Sequence, residues 1–475
     1  MNVLNRDADT ICAVATPPGV GGISVIRVSG PNSLDIVKRS AGFIPNEPES
    51  HRVFFGNFRS AQNNENIDEV LISYFKQGRS FTGEETLEIS CHGNPVICER
   101  ILKELLSHGA RLAERGEFTY RSFMNGKMDL IQAESVLELI EAQSKEASQL
   151  ALRQLKGSLS DKIRIIDDRI TWLAAHIEAG IDFSTEDIVI IEPALLKTKL
   201  TEVFDLLSEL LATYQYGRLV KDGIKVVLTG LPNVGKSSLL NQLLEDDKAI
   251  VTNIPGTTRD LIDGDTFYKG FKFTFIDTAG LRQTVDQVEA IGVERSYSVQ
   301  RDADIILFVY DSSQVLKEDE IAVLNKLDLS KTWVIANKFD LLSDSTDSVT
   351  QANGSILSKI YSSHSNLKLD LNSRMLFVSA LDKKVREAIL DRLAGENKNQ
   401  HVDSSALVSN VRHFELLTFA KGNILKALDV AESADSAEFL AFELKEALMK
   451  IHEVLGRRFD DEIMDRVFKE FCIGK

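Results

Sequence analysis

Apolar residues recur along the chain with two different periods, and the change of period marks how the chain is organised. Between residues 1 and about 120, short alternating runs such as 23–28 predict strands, while 95–108 predicts a helix. From 129 to about 215 the apolar residues recur at spacings of three and four, which is typical of helices. The chain therefore begins as a small α+β domain and continues as a helical one.

Residues 223–390 alternate strand and helix patterns. The runs KVVLTG, FKFTFIDTAG, DIILFVYD, TWVIANKFD and MLFVSA predict strands, and the apolar character of the last four favours a parallel sheet buried on both faces. Polar residues predict loops at 343–358 and 362–366 and a linker at 394–405. Residues 406–471 are helical in pattern again. We predict a multidomain protein whose α/β domain is inserted into a helical domain built from both flanks, although two separate helical domains also fit the pattern.

These transitions divide the chain into four segments. We assign residues 1–120 to the α+β domain and 121–217 to the first part of the helical domain. Residues 218–390 form the α/β domain, and 391–475 form the second part of the helical domain.

Composition and charge narrow the class of protein. The 475 residues suffice for two or three domains, and 43% hydrophobic with 27% charged residues is typical of a soluble globular protein. A net charge of -16 argues against a surface coated with cations for nucleic acid, but it leaves room for a local basic patch or for RNA shared with a partner. The sequence shows no signal-peptide pattern and no run of 18 apolar residues. We expect a cytoplasmic protein without a membrane span.

The four cysteines point to the same compartment. They are Cys12, Cys91, Cys98 and Cys472, and none has the spacing of a C-x-x-C pair or a zinc site. A reduced compartment of the cytosolic type fits best.

The clearest motif is a phosphate-binding loop. The run GLPNVGKS at 230–237 fits G-x-x-x-x-G-K-[ST], and it lies between a predicted strand and the predicted helix SSLLNQLL. Glycines let backbone N–H groups surround phosphate oxygens at a helix N-terminus. Lys236 would reach the outer phosphates and Ser237 would bind Mg²⁺. The nucleotide contacts predicted from this loop are Asn233, Val234, Gly235, Lys236, Ser237 and Ser238.

Two further motifs belong to the same phosphate site. Asp277 to Gly280, read DTAG, end a predicted strand, and the aspartate would hold Mg²⁺ through water while the glycine amide meets the γ-phosphate. Thr257 and Thr258 precede it, and a hydroxyl there would complete the Mg²⁺ shell. The predicted contacts from the DTAG motif are Asp277, Thr278, Ala279 and Gly280.

A third motif predicts the base. Asn337, Lys338 and Asp340 form N-K-x-D at the end of another strand. The Asp340 carboxylate would accept hydrogen bonds from the N1–H and N2–H₂ groups of guanine, a donor pair that adenine lacks. A further loop, Ser379, Ala380 and Leu381, would back the base. In this order, each at the end of a strand, the motifs predict a GTP site.

The hydrolytic groups are less obvious. Leu281 stands where small GTPases usually have a glutamine that orients water. Arg259 and Arg282 lie nearby in sequence, but solvated surface charge is the simpler interpretation of both. Asn233 together with the long loop IVTNIPGTT suggests a monovalent cation beside the β- and γ-phosphates, which would replace the positive charge of an arginine finger.

The combination resembles the MnmE or TrmE family of tRNA modification GTPases over nearly the whole chain. DTICAVATPPGVGGISVIRVSG and RSFTGEETLEISCHGNP resemble its folate-binding domain, and RGEFTYRSFMNGKMDLIQAESV resembles the junction into its helical domain. The α/β domain has the P-N-x-G-K-S-S and G-T-T-R-D forms of the family. The last residues, FCIGK, match its C-terminal signature.

The resemblance implies a set of nucleotide and cation ligands. Lys236 and Glu289 would be catalytic, with Glu289 orienting water directly or through a second water. Ser237 and Thr258 would bind Mg²⁺. The K⁺ ligands would be Asn233, Thr252, Ile254 and Thr257. The rest of that loop would contact GTP through Asn253, Pro255, Gly256 and Thr258. Pro255 departs from the usual T-D-I-A-G-T-T of the family; it leaves a carbonyl role for Ile254 open but could alter loop ordering.

The resemblance also implies folate chemistry. The ligands of a tetrahydrofolate derivative, in its 5-formyl or 5,10-methylene form, map to Arg27, Glu88, Lys127 and Lys475. Cations suit the glutamate tail, and a carboxylate suits the N–H edge of the pterin. Cys472 has two interpretations of equal weight: a catalytic nucleophile favoured by nearby cations such as Lys475, or a small apolar residue near a mobile tail.

By the same resemblance, the protein would be a K⁺-activated GTPase that works as a homodimer. With a FAD-dependent partner, in a heterotetramer, it would place a carboxymethylaminomethyl group on C5 of the wobble uridine (position 34) of certain tRNAs. The one-carbon unit would come from the folate, and juxtaposed G domains would activate hydrolysis of GTP.

Three other functions compete with this hypothesis. A ribosome-assembly GTPase of the related translation-factor group predicts an RNA-binding appendage with a G-x-x-G loop and a basic surface, which the acidic C-terminal helices do not show. A folate-binding enzyme with a merely regulatory G domain would keep its activity after Lys236→Ala. An interaction scaffold with an inactive nucleotide site is opposed by the intact Lys236, Ser237, Asp277 and Asp340.

Overall fold

The chain forms two compact units in a computed structural model. The structure describes residues 9–182, 191–244, 263–277, 299–342, 347–363, 374–398, 406–433, 436–458, 467–472 and 474. Unit 1 is drawn from Met1–Glu141, Ala151–Leu211 and Val411–Lys475, and unit 2 from Ala142–Leu150 and Ala212–Asn410. Residues 1–120 and the helical segments belong to the same compact unit, so the division of the chain into four segments remains a prediction.

Unit 1 begins with a six-stranded sheet in the order β3-β4-β5-β2-β1-β6. Its strands are β1 (Ile11–Val14), β2 (Gly21–Ser29), β3 (Arg52–Arg59), β4 (Asn66–Phe75), β5 (Thr86–Gly93) and β6 (Arg111–Leu112). Neighbours pair antiparallel except β1 and β6, which are parallel. Helices α1 (Ser33–Lys38) and α2 (Pro95–Ser107) contribute apolar side chains to the same core as the strands. The α+β prediction for this region is confirmed.

The start of α2 follows from its sequence. The Asn94 side chain accepts a hydrogen bond from the backbone N–H of Val96, and Pro95 occupies the first turn, where its missing N–H costs nothing.

The apolar residues Val53, Phe55 and Leu71 on β3 and β4 of this sheet are exposed.

The rest of unit 1 is helical. Its helices are α3 (Glu117–Met124), α4 (Leu130–Glu141), α6 (Ser158–Asp182), α7 (Pro193–Ala212), α13 (Val411–Ser433) and α14 (Ala437–Leu455), and α5 (Lys145–Leu155) is shared between the two units. In α6 the buried residues Ile163, Ile166, Ile170 and Leu173 recur at spacings of three and four, which confirms the predicted pattern.

The helical run that starts at residue 129 is not one helix. It is interrupted between α4 and α5, where the Ser144 hydroxyl accepts a hydrogen bond from the backbone N–H of Ala147 and so starts α5 anew.

Unit 2 contains a second six-stranded sheet, in the order β12-β11-β10-β7-β9-β8. Its strands are β7 (Ile224–Thr229), β8 (Asp263–Tyr268), β9 (Phe271–Asp277), β10 (Ile305–Asp311), β11 (Thr332–Asn337) and β12 (Met375–Phe377). All neighbours are parallel except β8, which pairs antiparallel with β9. The five strands predicted from the sequence are present and parallel, which confirms that prediction. The sequence analysis missed β8, an antiparallel edge strand whose sequence DGDTFY lacks an apolar run.

The helices of unit 2 correct two loop predictions. They are α8 (Tyr214–Asp222), α9 (Lys236–Leu244), α10 (Glu318–Leu324), α11 (Asp347–Ser363) and α12 (Val385–Lys398). The Ser and Asn residues within 347–363 are poor helix formers and favour a loop, but buried Leu357 and Asn353 anchor this segment as a helix. Residues 394–398 complete α12 instead of starting the linker, because Leu393 and Ala394 pack in the core. In the described part of the chain, no helix is both long and apolar enough to cross a membrane.

Candidate functional site

The phosphate-binding loop joins β7 to α9 in unit 2. Gly230 has φ +145 and Gly235 has φ +96, which are conformations that glycine adopts readily. A Cβ atom on Gly230 would lie 2.1 Å from the Val309 carbonyl oxygen, and one on Gly235 would lie 2.2 Å from the Asn337 amide nitrogen. The glycines therefore allow the loop to lie directly against the strand ends behind it.

Lys236 opens α9 and is almost entirely buried. Its ammonium donates hydrogen bonds to the carbonyl oxygens of Gly230 at 3.0 Å and Leu231 at 2.7 Å. The lysine thus points back over its own loop, where phosphate oxygens are expected. Within the loop Val234 is buried, while Asn233 and the helix residues Ser237 and Ser238 are exposed.

Two predicted magnesium groups come together. The Ser237 hydroxyl lies 3.4 Å from the Asp277 carboxylate, which is buried at the end of β9. A hydroxyl and a carboxylate are the oxygen donors that Mg²⁺ prefers, and the pair fits a Mg²⁺ site. The other residues predicted around the phosphates and cations lie outside the described residues: Thr252, Asn253, Ile254, Pro255, Gly256, Thr257, Thr258, Thr278, Ala279, Gly280 and Glu289.

Asn337 connects the base loop to the phosphate loop. Its side-chain amide donates to the Val234 carbonyl at 2.8 Å, and its side-chain oxygen accepts from the Ala380 backbone N–H at 3.0 Å. The backbone N–H and hydroxyl of Ser312 both donate to the Asn337 carbonyl. The sequence predicts Asn337 as a nucleotide contact, which stays a prediction; in the structure its side chain bonds to the two neighbouring loops.

Asp340, which the sequence predicts to read the base, lies at the border of an open cavity. It lies in a short 3-10 turn, Phe339–Leu341, that follows β11, and it is exposed. Together with Ser379 and Leu381 it borders an open cavity of about 490 Å³. Ala380 is buried and offers its backbone to Asn337, while the Ser379 hydroxyl accepts from the Leu381 N–H at 3.2 Å. The phosphate loop, the base loop and the loop after β12 meet around the ends of β7, β11 and β12.

A second candidate site lies on the sheet of unit 1. Arg27 on β2 and Glu88 on β5 are register partners, and the guanidinium donates to the Glu88 Oε1 from Nε at 3.0 Å and from Nη2 at 2.8 Å. The same guanidinium lies 5.5 Å from the ring centres of Phe81 and Phe118. Sequence reasoning missed both aromatic residues, because only the folded sheet brings them to Arg27.

Lys127 borders the loop that carries Phe81. Its ammonium donates to the Gly78 carbonyl at 3.0 Å, and its stem packs beside Gly83. Cations, a carboxylate and aromatic faces fit a ligand with an anionic tail and a flat polar ring. Lys475 lies outside the described residues.

Cys472 is exposed between two anchored neighbours. Phe471 is buried with Phe468 and Tyr120, and a Cβ on Gly474 would lie 2.4 Å from the Val14 carbonyl oxygen at the end of β1. Phe471 and Gly474, on either side of Cys472, therefore both pack against other parts of unit 1.

The phosphate-binding loop between β7 and α9, on a sheet of mainly parallel strands, makes unit 2 a P-loop GTPase domain. The family model described as the MnmE helical domain matches residues 130–472, and the one described as the GTP-binding protein TrmE N-terminus matches residues 10–127. The chain belongs to the MnmE/TrmE family of tRNA modification GTPases, and it is a GTP hydrolase.

Relatives match the chain from end to end. The tRNA modification GTPase MnmE of Bdellovibrio bacteriovorus is 56% identical over 472 residues, which is 99% of this chain and 98% of that protein. The protein of the same description from Clostridioides difficile is 40% identical over 477 residues, covering 98% of this chain and 99% of that one. The one from Thermotoga maritima is 36% identical over 473 residues, covering 98% and 100%.

Proposed function

We propose that this chain is a K⁺-activated, cytoplasmic tRNA modification GTPase that acts as a homodimer with a FAD-dependent partner. Together they form the 5-carboxymethylaminomethyl group on the wobble uridine of certain tRNAs, with a one-carbon unit from tetrahydrofolate. The observation that carries the proposal is the end-to-end match to tRNA modification GTPases in a chain that has both the Asn337-braced GTP site and the Arg27–Glu88 pair.

The GTP half of the proposal rests on charge and geometry in unit 2. Lys236 would exchange its two carbonyl partners for phosphate oxygens, which are stronger acceptors. Ser237 and Asp277, with Thr258, would hold Mg²⁺, which neutralises charge on the phosphates as it develops. Asp340 would select guanine. Since Leu281 cannot orient water, we assign that role to Glu289 and the compensating positive charge to K⁺ near Asn233.

The folate half rests on unit 1. Arg27 would reach the anionic tail or the ring of the folate from the face of the sheet, with Phe81 and Phe118 beside it. Glu88 would accept N–H groups of the pterin, and Lys127 and Lys475 would meet carboxylates. Cys472 remains the candidate nucleophile for the transfer.

The decisive experiment is nucleoside analysis of tRNA from cells that lack this protein. We expect the wobble modification to disappear and to return when the wild-type chain is supplied. A Lys236→Ala chain should fail to restore it, while Lys225→Ala, which changes an exposed lysine of β7 in the same unit, should restore it fully. Unchanged wobble nucleosides in the deletion strain would reject the proposal.

Two measurements test the cofactors. GTP hydrolysis should be markedly faster in K⁺ than in Na⁺, and equal rates in the two buffers would remove K⁺ from the proposal. Binding of 5-formyltetrahydrofolate, followed by calorimetry, should weaken by at least about tenfold in Arg27→Ala. Arg52→Ala, an exposed arginine of the same sheet, should bind folate normally. Equal folate affinity in the two variants would argue against the assigned site.

A further inference from the structure

Asp311 has a defined place next to the guanine-reading motif. It ends β10, and it is the register partner of Asn337 on β11. Its Oδ2 accepts a hydrogen bond from the Lys338 ammonium at 2.8 Å. Its Oδ1 accepts from the Ser313 backbone N–H at 3.0 Å and from the Ser313 hydroxyl at 2.6 Å. Both oxygens are therefore occupied, and the carboxylate is fixed in orientation.

The partner of this carboxylate is a strained residue. Lys338 has φ +62, a left-handed conformation that is unfavourable for a residue with a Cβ. Such a conformation persists only where neighbouring contacts require it. The side chains of Lys338 and Asp311 are 32% and 15% exposed, so water screens their attraction only in part.

Lys338 lies between a fixed residue, Asn337, and the turn that carries Asp340, so its backbone conformation affects where that turn lies. Asn337 before it is fixed by bonds to Val234 and Ala380. The 3-10 turn with the exposed Asp340 follows directly, and the Leu341 N–H bonds to the Lys338 carbonyl at 3.0 Å. A change in the Lys338 backbone would therefore move the turn that carries Asp340.

We propose that Asp311 is a positioning residue for guanine recognition. By bonding Lys338 it keeps the N-K-x-D turn in its strained conformation and so places the Asp340 carboxylate. The inference rests on the guanine-reading role proposed for Asp340. Asp311 is not among the predicted nucleotide contacts, so its effect is expected on nucleotide affinity and not on the chemical step.

The chain contains a matched control. Asp328 forms the same local bonds with Ser330, from the backbone N–H at 3.0 Å and the hydroxyl at 2.6 Å, but it precedes β11, at the opposite end of the strand from Asn337. Asp328→Asn therefore removes an equivalent carboxylate from an equivalent turn in the same unit, without touching Lys338.

The experiment compares the two variants in the full-length protein. Affinity for a fluorescent GDP analogue and steady-state GTP hydrolysis are measured for Asp311→Asn and Asp328→Asn. In Asp311→Asn we expect Kd and KM to rise about 5- to 30-fold, with kcat within about twofold of wild type. Asp328→Asn should bind GDP like wild type. Titration to one nucleotide per chain verifies that each variant is folded.

A double-mutant cycle tests the route of the effect. Lys338→Met keeps the apolar stem but removes the charge, and it should weaken GDP binding to a similar extent. Because both changes break one contact, the double variant should lose little more than either single variant. Additive losses, or an Asp311→Asn affinity equal to that of Asp328→Asn, would overturn the positioning role.

Asp340→Asn separates this inference from the function on which it rests. An unchanged GDP affinity in Asp340→Asn would reject the guanine assignment and the inference with it. A loss of affinity in Asp340→Asn, without one in Asp311→Asn, would reject the role of Asp311 alone.

Discussion

The side-chain amide of Asn337 donates to the backbone carbonyl of Val234 at 2.8 Å, across 103 positions of sequence. The same side chain accepts from the Ala380 N–H. One buried amide thus joins the phosphate loop, the base loop and the loop after β12. The loops of the nucleotide site are therefore held together by hydrogen bonds, and loss of one of these bonds should disturb all three loops.

Asn337→Ala should weaken GDP binding by at least about tenfold, because it leaves a buried carbonyl and a buried N–H without their partner. Asn353 is the matched control, since it is equally buried in unit 2 and also bridges two backbone groups, Leu316 and Gln314. Asn353→Ala should cost similar stability while GDP affinity is preserved. Isothermal calorimetry measures the GDP affinity of both variants, and thermal unfolding measures their stability. Equal losses of GDP affinity in Asn337→Ala and Asn353→Ala would contradict the bridging role of Asn337.

Gly230→Ala should destabilise unit 2 by at least about 2 kcal/mol and abolish GTP binding. The new Cβ would lie 2.1 Å from the Val309 carbonyl oxygen, at a φ of +145. A Cβ added to Gly354, inside α11, would meet nothing within 4 Å, so Gly354→Ala should be neutral or stabilising by up to about 1 kcal/mol. Urea unfolding of both variants measures the difference, and equal stability would contradict the packing argument.

Unit 1 should lose stability in acid through Glu134. Burial acts to raise the pKa of this carboxyl, but Arg412 and His413 outweigh it and lower the pKa to about 2. Because the folded-state pKa lies below the ordinary 4.5, the contribution is complete above about pH 4.5 and is lost as the pH falls toward 2.

Arg412→Ala should therefore cost about 3–5 kcal/mol near pH 7, since it leaves a buried carboxylate without its main partner. Arg52→Ala, which removes an exposed pair with Glu49 from the same unit, should change stability little. Calorimetric unfolding between pH 3 and 7 measures both. If the wild-type and Arg412→Ala transitions stayed equally far apart at pH 3 and pH 7, the linkage to Glu134 would be wrong.

The cysteines should differ in reactivity according to their burial. Burial raises the pKa of Cys12 to about 12, and burial followed by the contact with Cys98 raises the pKa of Cys91 to about 12. Few thiolates form at such sites, while Cys472 is exposed. In native protein, iodoacetamide should label Cys472 at least about tenfold faster than Cys12 or Cys91. Mass spectrometry measures the labelling of each cysteine. In urea, where the protein is unfolded, the rates should become equal. If Cys91 in the native protein reacted as fast as Cys472, its burial would be contradicted.

Sequence patterns predict those parts of unit 2 whose structure is determined by residues close together in the sequence. The apolar runs of β10 and β11 and the glycines of the phosphate loop are short-range signals, and the structure has each of them in the predicted place. The loop prediction within 347–363 is wrong because weak helix formers there are stabilised by the burial of Leu357, which only tertiary packing supplies. The break before α5 has a local cause in Ser144, which a helical spacing of apolar residues does not reveal.

In the candidate sites, too, some residues are predictable from local sequence and others only from the folded structure. Lys236, Asp277 and Asp340 are predictable from motifs, since their spacing alone indicates phosphate and base chemistry. Arg27 and Glu88 lie 61 positions apart, and they meet only through the register of β2 and β5. Asp311 carries no motif, and its relation to Lys338 likewise appears only when β10 and β11 are aligned.

The division of unit 1 into three stretches of chain has a consequence for its synthesis. The apolar side of α6, with Ile166, Ile170 and Leu173, packs with α14, but residues 212–410 leave the ribosome between the two helices. At ~5–20 residues per second, the synthesis of residues 212–410 alone takes roughly 10–40 s. Unit 2 has time to fold within it, whereas α6 waits with its apolar side uncovered. The order of translation therefore leaves the α6 surface open to aggregation until the C-terminal helices are complete.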